Sequence, residues 1–132
     1  MNEVRLRESL ADLGDALKRL GEVLGEPLDA KGYMADAAIQ RFEFSMELFW
    51  KTLKHLLAFH GKEVVLPMDS LRQAYKAGWI DNEEIWLGMM RDRNMTSHIY
   101  NKALAEEIFG RIQTYFPEMM KTYDFIRALP RR

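Results

Sequence analysis

The chain has 132 residues, with nineteen lysines and arginines against twenty aspartates and glutamates, for a formal charge of −1. That length suits one domain with a real hydrophobic core, and the charge balance excludes a strongly basic nucleic-acid coat while leaving room for a local basic patch. With no cysteine, disulfide frameworks, thiolate zinc sites and thiol nucleophiles are all excluded.

The opening stretch, MNEVRLRESLADLG, is charged from its third residue and lacks an apolar signal core. No apolar run approaches the ~18–20 residues that span a bilayer, so a soluble, cytoplasmic protein is expected. Leu6, Leu10, Leu13, Leu17, Leu20 and Leu24 recur in alternating steps of four and three, the stripe of a bundle helix. GEPLDAKGY then interrupts the pattern with two glycines and Pro27.

A second helix is predicted from about Met34 to Phe59. Ile39, Phe42, Met46, Phe49, Leu53 and Leu56 share one face, and Phe44, Leu48, Trp50 and Leu57 add apolar surface elsewhere. Such a helix sits either at the centre of a bundle or against a second subunit, and Gly61 suits its C-terminal stop. A loop through Pro67 leads to a short helix over Asp69–Ala77, closed by Gly78. In DNEE, Asp81 lies three residues before Glu84, a capping-box-like start for a fourth helix carrying Ile85, Trp86, Met89 and Met90. The last helix is predicted over Lys102–Ala128, with Leu104, Ile108, Ile112, Tyr115, Met119 and Ile126 inward and Pro117 kinking or locally ending it. No alternating strand, repeat or low-complexity segment stands out, Pro130 being the last helix breaker. The fold class is all-α: four long helices and one short one, most simply an antiparallel up-and-down bundle spanning residues 1–132 as a single domain.

Several chemistries lack their residues. The positions three before His55, His60 and His98 are Thr52, Leu57 and Met95, so no Glu-x-x-His pair of a bundle metal site exists. There is no glycine-rich phosphate loop and no H-E-x-x-H. No dedicated metal site and no cofactor is expected.

One stretch stands apart: RNMTSHIY, residues 93–100. Cleavage of RNA by its own 2′-hydroxyl needs a base, a cation beside the phosphate and a proton donor for the leaving oxygen. His98 is of the right type for proton transfer, Arg93 for a two-pronged grip on phosphate, and Asn94 for orienting either one or holding ribose. Tyr100 offers a donor, a stacking surface and a modifiable hydroxyl. On an unbroken helix, however, residues five apart point about 140° away from each other. Arg93 and His98 meet only if the helix loosens around Thr96–Ser97, or if two copies meet across a dimer axis. The plain alternative is an arginine on a solvated face and a histidine closing a helix end. Trp50, Trp79 and Trp86 suit core packing more than base stacking, and the nine methionines suit core filling. Arg41, Lys51 and Lys54 with Glu43 and Glu47 read as a charged face, laced by an i,i+4 pair of Glu47 with Lys51.

RFEFSMELFWKTLKHLL (41–57), PMDSLRQAYKAGWI (67–80) and WLGMMRDRNMTSHIY (86–100), taken in order, resemble the nucleotidyltransferase substrate-binding protein family of the HEPN superfamily, which includes the HepT toxins. The likeness runs from about residue 34 to 126. It implies a helical bundle that homodimerises with two Arg-x4-His motifs on one cleft, and a minimal nucleotidyltransferase as partner. It implies Arg93 and His98 as a metal-independent ribonuclease pair, with Asn94 their polar neighbour. It implies Tyr100 as the residue that the partner, acting as antitoxin, adenylylates to silence the toxin. Arg41, Lys51, Thr96 and Ser97 are candidates for holding RNA or nucleotide. The alternative within the same resemblance is a non-catalytic subunit that binds a nucleotide or substrate for the transferase.

Overall fold

In the computed structural model residues 3–129 are described; Met1, Asn2 and 130–132, Pro130 among them, lie outside the described residues. Five α-helices follow one another: α1 (Glu3–Leu24), α2 (Tyr33–Phe59), α3 (Pro67–Lys76), α4 (Glu83–Met95) and α5 (Lys102–Arg127). A single 3₁₀ turn, Thr96–His98, follows α4. Among the described residues there is no strand.

The helix ends show how local chemistry sets the boundaries. The Asp29 carboxylate accepts from the backbone N–H groups of Tyr33 and Met34, at 3.0 and 2.8 Å, so two orphan donors in the first turn of α2 are satisfied. Those two hydrogen bonds hold the Asp29 carboxyl below its usual range. Gly61, at φ 82°, ends α2, and the Lys62 N–H folds back to the Leu57 carbonyl. The third helix begins at Pro67 rather than Asp69, because proline is pre-shaped for a first helical position. The cap of α4 is Asn82, whose side chain accepts from the Ile85 N–H at 3.2 Å. Asp81, expected in that role, instead pairs with Lys121 on α5. Pro117 does not end α5. It is exposed, as is Gln113, whose carbonyl loses its helical donor to the proline.

Cross-helix contacts fix an up-and-down arrangement. Ser9 of α1 meets Thr52 of α2 at 2.7 Å, and the Arg19 carbonyl accepts from Arg41 at 2.7 Å, so α1 and α2 run antiparallel. Asp81 and Asp92 pair with Lys121 and Arg111, setting α4 antiparallel to α5. Tyr123 reaches the Leu10 carbonyl, tying the far end of α5 to the first half of α1, and Gln113, in the middle of α5, reaches the Leu24 carbonyl at the end of α1. Helix α2 packs against all four other α-helices, which settles its apolar faces in favour of a central position. Phe42, Met46, Phe49, Leu53 and Leu56 are fully buried, and the Phe49 ring meets the edge of Trp86 at 4.6 Å. On α1 the stripe ends at Val23, with Leu24 only half-buried. Phe44, counted among the apolar surface of α2, is 58% exposed.

Two glycines on α1 have a packing purpose. A Cβ on Gly14 would fall 2.3 Å from the Tyr123 hydroxyl, and one on Gly21 would fall 2.8 Å from the Phe116 ring. These positions let the aromatic side chains of α5 lie directly on α1.

Candidate functional site

The last turn of α4 has one residue facing each way. Asp92 is 5% exposed and sits beneath the motif. Its Oδ1 accepts from Arg111 at 2.9 Å, and its Oδ2 accepts from the Tyr115 hydroxyl. Arg111 is itself held by Glu107 at 3.1 Å, so a buried carboxylate clamps α4 to α5. Burial, then the hydrogen bond to Asp92, pushes the Tyr115 phenol up to about 12. For Arg111, burial opposes the charge, but Asp92 and Glu107 outweigh it and hold the guanidinium above its ordinary value. The signal in the sequence was a carboxylate three residues after Met89 on an apolar helix face, with Arg111 and Tyr115 one turn apart on α5.

Arg93, one residue later, turns toward α2. Its Nη2 lies 3.8 Å from Glu47 Oε1, while Glu47 Oε2 accepts from the Trp50 indole at 2.9 Å. Glu47 therefore serves Arg93 and Trp50. Among the described residues no ion pair joins it to Lys51, which stands exposed. Trp86 is fully buried and Trp79 nearly so, placing both in the core.

The helix loosens where the residues favour it. After Met95 the chain tightens into the 3₁₀ turn Thr96–His98 and then extends at Ile99. The Thr96 hydroxyl donates to the Arg93 carbonyl at 2.8 Å, filling one of the orphan acceptors of the helix end. Thr96 is thus a closing residue of α4. Asn101 caps the next helix, accepting from the Leu104 N–H at 2.8 Å. Ser97, His98 and Tyr100 between these two anchors, and Asn94 just before them, are all exposed, Tyr100 at 82%. Among the described residues no hydrogen bond or ion pair joins Arg93 to His98 within one chain. Tyr100 borders a small polar cleft of about 240 Å³ with Lys31, Asp36 and Lys102.

Arg41 is not drawn into this turn. Its guanidinium crosses to the Arg19 carbonyl and helps to line a cleft of about 390 Å³ between α1 and α2, which Glu47 also lines. Among the described residues no three histidine, aspartate or glutamate side chains gather as a metal site would need, and no helix is long and apolar enough to cross a membrane.

The class is an all-α, up-and-down four-helix bundle with one added short helix and a polar Arg-x4-His turn presented at the end of its third long helix. Residues 6–128 match the family described as nucleotidyltransferase substrate binding protein like, and the chain belongs to that family. It is 30% identical over 98 residues to a Haemophilus influenzae protein named "Probable ribonuclease HepT", covering 70% of this chain and 67% of that one. A crystal structure from Thermus thermophilus is similar with a TM-score of 0.80 and 35% identity, covering 88% of this chain and 99% of the other.

Proposed function

We propose that this protein is a HEPN-type, metal-independent ribonuclease toxin, a cytoplasmic single-domain homodimer, held in check by a minimal nucleotidyltransferase that adenylylates Tyr100. The observation that carries the reading is the turn itself. Arg93 is fixed from below by the Asp92 clamp and from the side by Glu47, while Asn94, Ser97, His98 and Tyr100 project unpaired into solvent. Polar side chains exposed together on a buttressed backbone are arranged for a ligand rather than for the fold. The name of the Haemophilus relative supports the same chemistry.

In this mechanism Arg93 binds the non-bridging phosphate oxygens and stabilises the charge that grows on them. His98 takes the proton from a ribose 2′-hydroxyl, and O2′ bonds to phosphorus as the bond to O5′ breaks. The departing O5′ takes a proton from His98 of the second copy across the dimer cleft. The products are a 2′,3′-cyclic phosphate and a 5′-hydroxyl. Asn94 orients the pair, and Ser97 with Lys51 and Arg41 lies within the nucleic-acid footprint. Silencing forms a bond from Tyr100 Oη to the α-phosphorus of ATP, with pyrophosphate leaving and the phenolic proton lost. The added anionic nucleotide repels and blocks RNA at the cleft.

A second reading starts from the family's description as substrate binding: the cleft holds a substrate for the transferase and cuts nothing. The Glu47 carboxylate beside Arg93 favours it, because it offsets part of the charge a phosphate needs. Incubation of purified protein with RNA in EDTA, wild type beside His98→Ala, separates the two. Cyclic phosphate ends that vanish in the variant establish the nuclease. An uncut RNA panel, with Tyr100 verified as unmodified, sinks the nuclease, and nucleotide or transferase binding by the same uncutting protein carries the presenting subunit.

A further inference from the structure

The cleft between α1 and α2 has the build of a ligand site, and apart from Arg41 in the nucleic-acid footprint and Glu47 beside Arg93 its residues have no role in the chemistry above. At about 390 Å³ it falls inside the range of small-molecule pockets, about 300–1,000 Å³. Part of its wall is apolar: Phe44 and Leu48 from α2, and Ala16 from α1. Phe44 is 58% exposed although it lies on the central helix of the bundle. An aromatic ring left open at the edge of a cleft is a platform for a flat ring system.

The polar groups narrow the ligand further. Asp12, Asp15 and Glu47 line the cleft with Arg19 and Arg41, three carboxylates against two guanidiniums. One Arg41 nitrogen is already committed to the Arg19 carbonyl at 2.7 Å. Excess negative charge disfavours a phosphate in the cleft and suits an uncharged group that donates hydrogen bonds. Glu47 connects this space to the motif, since the carboxylate that lines it also meets Arg93 at 3.8 Å.

We propose that this cleft is a nucleobase pocket that takes guanine, with the base stacked on Phe44 and its donor edge on the carboxylates of Asp12 and Asp15, while the adjoining phosphate lies outside at Arg93. A carboxylate is an acceptor only. Guanine alone among the RNA bases offers it two adjacent donors, N1–H and the N2 amino group. Adenine and cytosine set an acceptor nitrogen beside their amino group, and uracil sets carbonyl oxygens on both sides of its one N–H. The assignment deepens the proposed ribonuclease function, on which it rests for the meaning of the Arg93 phosphate, by naming the base beside the scissile bond.

The test is an amide-resolved NMR titration of the full chain with guanosine, cytidine and uridine. Saturable shifts at residues 16, 44 and 48 are expected with guanosine. Phe44→Ala, an exposed position that leaves the core intact, should weaken guanosine about tenfold, the scale of one lost base stack. Asp12→Asn with Asp15→Asn should bring guanosine down to cytidine. The assignment is overturned if the three nucleosides bind alike, if none binds, or if Phe44→Ala titrates like the wild type. It is also overturned if that substitution changes only the oligomeric state, which would make the cleft a contact between copies. His98→Ala should bind guanosine unchanged. Guanosine binding together with RNA left uncut would sink the nuclease reading alone and leave the pocket standing.

Discussion

Asp92 and Arg93 are neighbours in sequence, yet they belong to opposite parts of the molecule. The Asp92 carboxylate is buried and accepts from Arg111 and Tyr115. Arg93 turns to Glu47 on α2, and the side chains of Asn94, Ser97, His98 and Tyr100 are left open. Buried polar groups are costly unless every partner is present, so the Asp92 cluster is stiff or it fails. Exposed polar groups carry no such penalty and remain available to a ligand. The comparison teaches that one helical turn divides into a support and a presenting surface, and substitutions on the two sides should have opposite signatures.

The largest expected effect lies on the presenting side. His98→Ala should lower RNA cleavage by about 10²–10⁴-fold, the usual range for a lost general base, with a melting temperature close to wild type. A fall in stability matching the loss of activity would erase the distinction. On the supporting side, Asp92→Ala takes the acceptor from the half-buried Tyr115 hydroxyl and one of the two carboxylates from Arg111, which keeps Glu107, and should cost about 2 kcal/mol, roughly 8 °C in melting temperature for a chain of this size. Cleavage should fall as well, because the backbone of Arg93 loses its anchor. Calorimetry that finds Asp92→Ala as stable as wild type would show that the clamp does not hold α4.

Tyr115→Phe is the milder version and should cost about 1 kcal/mol. It also has a pH signature. The phenol titrates near 10 when unfolded and is pushed up to about 12 in the fold, by burial first and by Asp92 second. Its contribution is therefore complete below pH 10 and lost as pH rises through 10 to 12. The alkaline limb of a stability curve should flatten in that window in Tyr115→Phe. The smallest effect is expected far from both regions, at His55. Burial, followed by repulsion from Arg5, Lys54 and Lys51, holds that imidazole below its ordinary value. The unfolded chain then binds the proton more readily, so stability should fall as pH drops below about 6.5. His55→Gln should remove that acid slope and leave cleavage untouched.

What the sequence determined by itself is local. Steps of three and four along Leu6–Leu20 and Ile39–Leu56 give the buried faces of α1 and α2, because helical periodicity is a property of neighbouring residues. Gly61 gives the end of α2, and Pro67 and Gly78 the limits of α3, for the same reason. The loosening at Thr96–Ser97 was legible from residues that favour helix ends. Partnerships across helices were not legible: Glu47 to Arg93, Asp92 to Arg111 and Tyr115, and Asp81 to Lys121 rather than to its own helix. Nor was the close approach of α5 that explains Gly14 and Gly21, or the cleft that leaves Phe44 open. Each depends on which faces of distant segments meet, and at what distance. Packing a whole bundle around α2 decides that, and no pattern within one helix contains it.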